Sequence, residues 1–149
     1  MSGNIQVVID ALQGSLADLI NLSLYGKQVH WNIRGEGFKD FHEHLDEIID
    51  DLRIYSDDVA ERIAAIGGSP DGRPQTSAAI SKVAVPDAGV LKVSEARVYY
   101  EQQVQGVADR IKAGIGAVGD VDTLSGDLLV GIATGLEKQA WLLRAGNVK

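Results

Sequence analysis

Apolar residues recur at steps of three and four over four long stretches of the chain, which is the spacing of one buried face of an α-helix. Ile5, Val8, Leu12, Leu16 and Leu19 open the first stretch, and the same line continues through Ser23 and Gly26 to His30. Phe41, Leu45, Ile48, Leu52, Tyr55, Val59, Ile63 and Ile66 mark the second. The third runs from about Val93 to Val118 with Tyr100, Val104, Val107, Ile111, Ile115 and Val118 facing inward. The fourth spans roughly Thr123 to Ala145 and is expected to bury Leu124, Leu128, Ile132, Leu136 and Leu143. Gly35 and Gly37 should end the first helix before the second begins, and a turn is expected at Gly119 and Asp120 between the last two. Between the second and third stretches the Gly-, Pro- and Asp-rich run GGSPDGRPQTSAAISKVAVPDAG opens a long connection. A crossover between bundle helices running the same way needs that length, and Thr76 to Val83 is expected to form a short helix within it. The pattern therefore predicts an all-α four-helix bundle.

Small residues refine this picture. Ser23 and Gly26 leave room near His30 or allow close helix packing, and packing is the favoured use. Gly131 and Gly135 are expected to admit close approach in the fourth helix at some cost in helix propensity. At 149 residues the chain is one domain, 1–149, large enough to bury its own core, and its 45% apolar content fits a globular protein. It has no cysteine, hence no disulfide framework and no thiolate metal site, so a cytoplasmic protein is the default expectation. The start MSGNIQVVID lacks a basic segment followed by an apolar core, and no apolar run reaches about 18 residues, so neither export nor membrane insertion is expected. A net charge of -7 argues against non-specific nucleic-acid binding by the body of the chain and suits the attraction of cations.

All three histidines and the densest carboxylates fall between Lys27 and Gly68. Beside the apolar stripe of the second helix runs a polar one, in which His42 and Asp46 are four residues apart and so are Asp57 and Glu61. Each pair projects from one face on successive turns and suits one metal ion. Between Asp46 and Asp57 lie about three turns, roughly 16 Å of rise with about 20° of angular drift, so the pairs share a face but cannot chelate one ion together. A second copy of the helix packed antiparallel across a two-fold axis would set His42 and Asp46 of one chain opposite Asp57 and Glu61 of the other. His30 approaches from the first helix. The bland alternative is a solvated carboxylate face with packed or surface histidines. The chain holds no Glu-x-x-His motif, whereas di-iron sites inside a single bundle use one from each of two helices, so any site here belongs at an interface. His, Asp and Glu ligands suit iron or manganese, with zinc a further possible occupant.

The segments KQVHWNIRG, FHEHLDEI and DDVAERIAAIGG, with GLEKQAWLLRA near the C-terminus, closely resemble the signature of the Dps family, ferritin-like mini-ferritins that protect bacterial DNA during starvation. The match covers nearly the whole chain. The resemblance implies a ferritin-like four-helix bundle assembled into a hollow twelve-subunit shell. It implies an iron-oxidising ferroxidase site between two subunits, with His30, His42 and Asp46 from one and Asp57 and Glu61 from its partner. Imidazoles and carboxylates would bind ferrous iron and the hard anionic oxygens would stabilise the ferric product. Hydrogen peroxide is the expected oxidant, with oxygen the alternative, and ferric mineral is stored inside. Trp31 is expected to pack, and the resemblance places it beside the iron site, where an oxidisable ring intercepts one-electron oxidants. Glu43 and Glu47 are candidates for mineral nucleation or belong to a solvated face. Asp120, Asp122 and Asp127 resemble the family's acidic pore segment, Asp127 fitting best, while Asp120 and Asp122 equally suit helix capping. His44 stands off the strongest ligand position. The rival readings are a non-enzymatic helical assembly protein and a DNA-compacting, nucleoid-associated shell with incidental iron chemistry.

Dps proteins that bind DNA strongly commonly use Lys- and Arg-rich tails, which release counterions from phosphate. Here the first basic residue is Lys27, and only a few residues including Lys149 follow the fourth helix. Weak or absent DNA binding is therefore expected. Duplex DNA should show no gel shift at about 0.15 M salt, where screening leaves only short-range contacts, and at most a magnesium-dependent shift at lower salt. A tight, magnesium-independent complex at the higher salt would reveal a basic patch assembled between subunits.

Overall fold

The computed structural model describes residues 3–146, so Lys149 lies outside the described residues. Its frame is four long helices, α1 (Gly3–Asn32), α2 (Phe38–Ala65), α4 (Val93–Val121) and α5 (Thr123–Ala145), with a seven-residue helix α3 (Pro74–Ile80) between α2 and α4. Two-residue strands β1 (Ile33–Arg34) and β2 (Leu91–Lys92) pair in parallel, Ile33 opposite Leu91. This small ladder fixes the topology. It places the start of α4 beside the start of α2, so these two helices run the same way and the chain between them must return along the bundle. The fold is the all-α, ferritin-like four-helix bundle with a short helix in its long crossover.

Local chemistry sets the element ends. Gly35 and Gly37, at φ 125° and 79°, make the turn between α1 and α2 in a region that a side chain disfavours. After α2, Gly67 takes φ 95°, its N–H bonding to the Ala64 carbonyl while Gly68 N–H bonds to Ile63, so two orphan carbonyls of the last turn are satisfied. Pro74 opens α3, where its missing N–H costs no helical bond.

α1 packs chiefly on α2 and α4, α5 on α4, and α3 lies against α1. By length and composition α1 could cross a membrane. The bundle accounts for that apolarity, because Val8, Leu12, Leu16, Leu19, Leu22 and Val29 are buried between the other helices. The crossover is pinned to α1 by polar groups. The Asp18 carboxylate, 5% exposed, accepts from Ser81 Oγ (2.9 Å), the Lys82 N–H (2.8 Å) and Arg110 Nε (2.8 Å), which compensates a charge that would otherwise be expensive to bury. Farther along, Gln13 exchanges two hydrogen bonds with the Asp71 backbone at 2.9 and 2.8 Å.

Several expectations are corrected. The short crossover helix spans Pro74–Ile80 rather than Thr76 to Val83, because proline at its first position starts it earlier. No turn forms at Gly119 and Asp120. α4 continues to Val121 and Asp122 alone separates it from α5. A Cβ on Gly126 would stand 2.7 Å from Gly119 Cα, so these two glycines let the helices approach closely just before the junction. Leu124 is 66% exposed, and Leu129 is buried in α5 instead. Gly135 faces the Tyr55 hydroxyl as close packing requires, whereas nothing lies near Gly131.

Gly26 is a packing residue. Its missing side chain makes room for buried Tyr100, whose hydroxyl donates to the Leu22 carbonyl at 2.8 Å, and a Cβ there would lie 2.5 Å from that oxygen. Gly26→Ala should destabilise the fold by about 1–3 kcal/mol through overpacking. Tyr100→Phe removes the clashing oxygen, so the double variant should lose less than the sum of the single losses in thermal unfolding. Strict additivity would show that the contact is not the cause.

Candidate metal centre

His30 lies in the last turn of α1 and His42 in the second turn of α2, on either side of the Gly35–Gly37 turn. The turn folds them face to face, with ring centroids 3.5 Å apart and planes 12° from parallel. His30 Nδ1 donates to the His42 carbonyl at 2.8 Å, and His42 Nδ1 donates to the His30 carbonyl at 2.9 Å. A backbone carbonyl only accepts, so both rings must carry their proton on Nδ1. Each Nε2 lone pair is then left for a ligand, an arrangement common to metal-binding histidines. Phe38 stacks on the outer side of His42 at 4.9 Å.

Asp46 follows one turn after His42, with Oδ1 3.6 Å from His30 Nδ1. Its closest partner, absent from the donors expected from the sequence, is the Lys27 ammonium, which bonds Oδ1 at 2.5 Å. The signal available was the three-residue step from Lys27 to His30, which sets both on one face of α1. The Lys27 hydrogen bond is the main reason that the Asp46 carboxyl is held below the usual carboxylate range, with His30 and His42 adding to it against the opposing effect of burial. Asp46 is thus ionised at neutral pH. A metal ion must either displace the ammonium or use the remaining oxygen.

Three turns farther along α2, Asp57 and Glu61 are joined by Asp58, which adjoins Asp57 but stands outside the four-residue step. The three exposed side chains hold ligand oxygens within 4.8 Å of one another. One protomer therefore presents two separate donor sets, His42 and Asp46 at the start of α2 with His30 from the end of α1 beside them, and Asp57, Asp58 and Glu61 beyond the middle of α2.

The other candidates fall outside these sets. Trp31 is 70% exposed, so the expected packing is absent within the protomer; it is the first residue after His30 and points off the bundle. Glu43 and Glu47 are exposed on α2. His44 bonds Gln139 of α5 at 2.8 Å through Nε2, which spends that nitrogen on helix packing. Asp120 and Asp127 are exposed near the α4–α5 junction. Asp122 instead accepts from the Ser125 hydroxyl and, at 2.8 Å, from Arg62 Nη2 of α2. That supports a structural role for Asp122.

The fold is a ferritin-like bundle, and it carries separate histidine–carboxylate and carboxylate donor sets. A family model described as ferritin-like domain matches residues 9–147. The DNA protection during starvation protein of Mycolicibacterium smegmatis is 37% identical, over 93% of this chain and 75% of its own length. DNA protection during starvation protein 2 of Deinococcus radiodurans is 34% identical over 92% of this chain, which spans 57% of that relative's length. Among solved structures, Dps92 from Deinococcus radiodurans superposes with a TM-score of 0.94 at 33% identity, over 97% of this chain and 87% of that one. Dps from Microbacterium arborescens in the high iron form gives 0.91 at 30% identity, over 98% and 95%. The chain belongs to the Dps family of ferritin-like proteins.

The Asp122 tie has a pH signature. Its carboxyl is lowered below the ordinary range first by the Ser125 hydroxyl and then by Arg62. A depressed folded-state value contributes stability above the unfolded carboxylate range and loses it as pH falls through the folded value. Asp122→Asn should therefore lower the melting temperature at pH 7, and the difference from the parent should shrink on acidification below about pH 4. A difference independent of pH would assign the loss to packing alone.

Proposed function

We propose that this protein is a ferroxidase and iron-storage shell. Ferrous iron is the substrate, bound between two subunits by His30, His42 and Asp46 of one and Asp57 and Glu61 of the other. The reading rests on the reciprocal His30–His42 hydrogen bonds. A solvated polar face has no need to fix two imidazoles in one tautomer with both Nε2 atoms free. The three-turn separation of the donor sets on α2 supports a shared site, because an antiparallel two-fold pairing supplies each set with its complement.

Two ferrous ions give one electron each to hydrogen peroxide; the O–O bond breaks and, with two protons, two waters and two ferric ions result. The carboxylates Asp46, Asp57 and Glu61 favour the ferric product, since hard anionic oxygens gain most from the added charge. Manganese or zinc fits the same donors. Two-electron consumption of peroxide with its iron avoids hydroxyl radical, and this is how the chain would provide the protection for which its relatives are named. The ferric product accumulates as mineral within a cytoplasmic dodecamer, with Glu43 and Glu47 as nucleation candidates and Asp127 the foremost candidate for iron passage. Trp31, exposed on one protomer, would be covered near the shared site.

Co-assembly tests the shared site. His42→Ala and Asp57→Ala shells should each oxidise ferrous iron no faster than buffer, while shells mixed from the two should recover part of the rate. In a mixed two-fold pair one site loses both ligands and the other keeps all of them. Mixed shells as inactive as the parents would place the ligands within one subunit.

A further inference from the structure

We propose that the cleft at the α2 and α4 N-termini is a binding site for a phosphate-class oxyanion. The cleft, of about 540 Å³, opens beside the β1–β2 ladder and is lined by Arg34, Gly37, Lys92, Ser94 and Arg97 among others. Three cations gather there in a chain whose net charge is -7.

Arg97 carries the argument. It is 8% exposed, and its guanidinium makes no hydrogen bond among the described residues. It lies over the Phe41 ring at 4.8 Å. Its nearest carboxylate oxygen, on Asp40, is 3.7 Å away, beyond hydrogen-bond reach, and that side chain is 88% exposed. The guanidinium's five N–H donors are free of hydrogen bonds to the described residues, and its planar fork matches two oxygens of a tetrahedral anion.

The backbone supplies the same sign of field. α2 and α4 both begin at this cleft, with Gly37 and Lys92 as N-caps, and neither has a side-chain hydrogen bond to its first turn. Phe38 N–H of α2 bonds the Gly35 carbonyl, and the remaining first-turn N–H groups with the positive ends of two long helices favour an anion. Ser94, in the first turn of α4, adds a hydroxyl donor. Glu36 and Asp40 also line the cleft and oppose the anion, leaving one net positive charge with Arg34, Lys92 and Arg97. The donor geometry suits the dianionic head of free phosphate or of a phosphate monoester. The volume admits either.

Isothermal titration of the assembled protein with inorganic phosphate should show saturable binding, and a phosphate monoester tests whether more of the cleft is used. A short duplex oligonucleotide, which offers only diester phosphates, should not compete. Arg97→Lys keeps the charge but loses the fork and should bind about tenfold more weakly. Should that variant fold poorly, Lys92→Gln and Ser94→Ala, both at exposed positions, should each weaken phosphate binding several-fold while leaving assembly unchanged. Absence of saturable binding by the parent would overturn the proposal, as would phosphate affinity that all three substitutions leave unchanged in folded protein. Competition by the duplex oligonucleotide would overturn it in favour of a backbone-phosphate surface. Iron oxidation enters none of these readouts, so failure of the ferroxidase reading and failure of this one are separable.

Discussion

The reciprocal hydrogen bonds between His30 and His42 depend on one constraint, a turn short enough to bring the end of α1 against the start of α2. Gly35 and Gly37 make that turn in left-handed conformations. Each imidazole then reaches across to the other helix's backbone, so the histidines staple the hairpin at the same time as the hairpin orients them. Ring tautomer and helix register are therefore one property. A substitution that lengthened the turn would loosen the staple, shift Lys27 away from Asp46 and release both Nδ1 protons to solvent. The orientation of the two histidines is thus a consequence of backbone geometry five residues wide.

The rest of the bundle keeps that hairpin in place through close approaches rather than bulk. Tyr100 of α4 fits over Gly26 only four residues before His30, and Tyr55 of α2 fits over Gly135 of α5. Each tyrosine spends a large ring on a neighbour that has no side chain, which aligns one helix pair at one height. The crossover obeys the same logic with charge in place of volume. Buried Asp18 accepts from Ser81, Lys82 and Arg110, so the return path of the chain is tied to both α1 and α4. Removing either partner of such a pair leaves an uncompensated buried charge, which costs more than the intact pair contributes.

The four long helices were legible in the sequence because their apolar positions repeat at helical spacing, and that signal is local. Val93, Thr123 and Ala145 fall where periodicity puts them. The α4–α5 junction was not legible. Glycine and aspartate at 119 and 120 look like a turn, yet Gly119 is there for its contact with Gly126, a relation between helices that no single-helix pattern contains. Leu124 keeps the spacing of the buried face but is exposed, while the next residues, Ser125 and Gly126, turn toward the bundle in the first turn of α5. Of the candidate site, the donor residue types and their four-residue steps are visible in the sequence, whereas the contacts of Lys27 and Asp58 emerge only in the fold. Lys27 meets Asp46 across 19 residues, and Asp58 counts only once side-chain oxygens are placed in space.

The asymmetry of donors along α2 is what the proposed pairing with a second copy of the helix would exploit. Its start carries His42 and an Asp46 carboxylate already paired with Lys27, with His30 of α1 stacked alongside, while the stretch beyond its middle carries three carboxylates with oxygens within 4.8 Å of one another. Carboxylates that close repel, and in one protomer nothing in the set itself offsets them. In the proposed antiparallel pairing, each acidic cluster would face the other chain's imidazole nitrogens and the Lys27–Asp46 pair instead of a second acidic cluster. A divalent cation placed between them would offset the remaining repulsion with donors from both chains. An interface and a substrate site of that kind would stabilise one another by mass action, since an ion that binds only the paired form favours pairing.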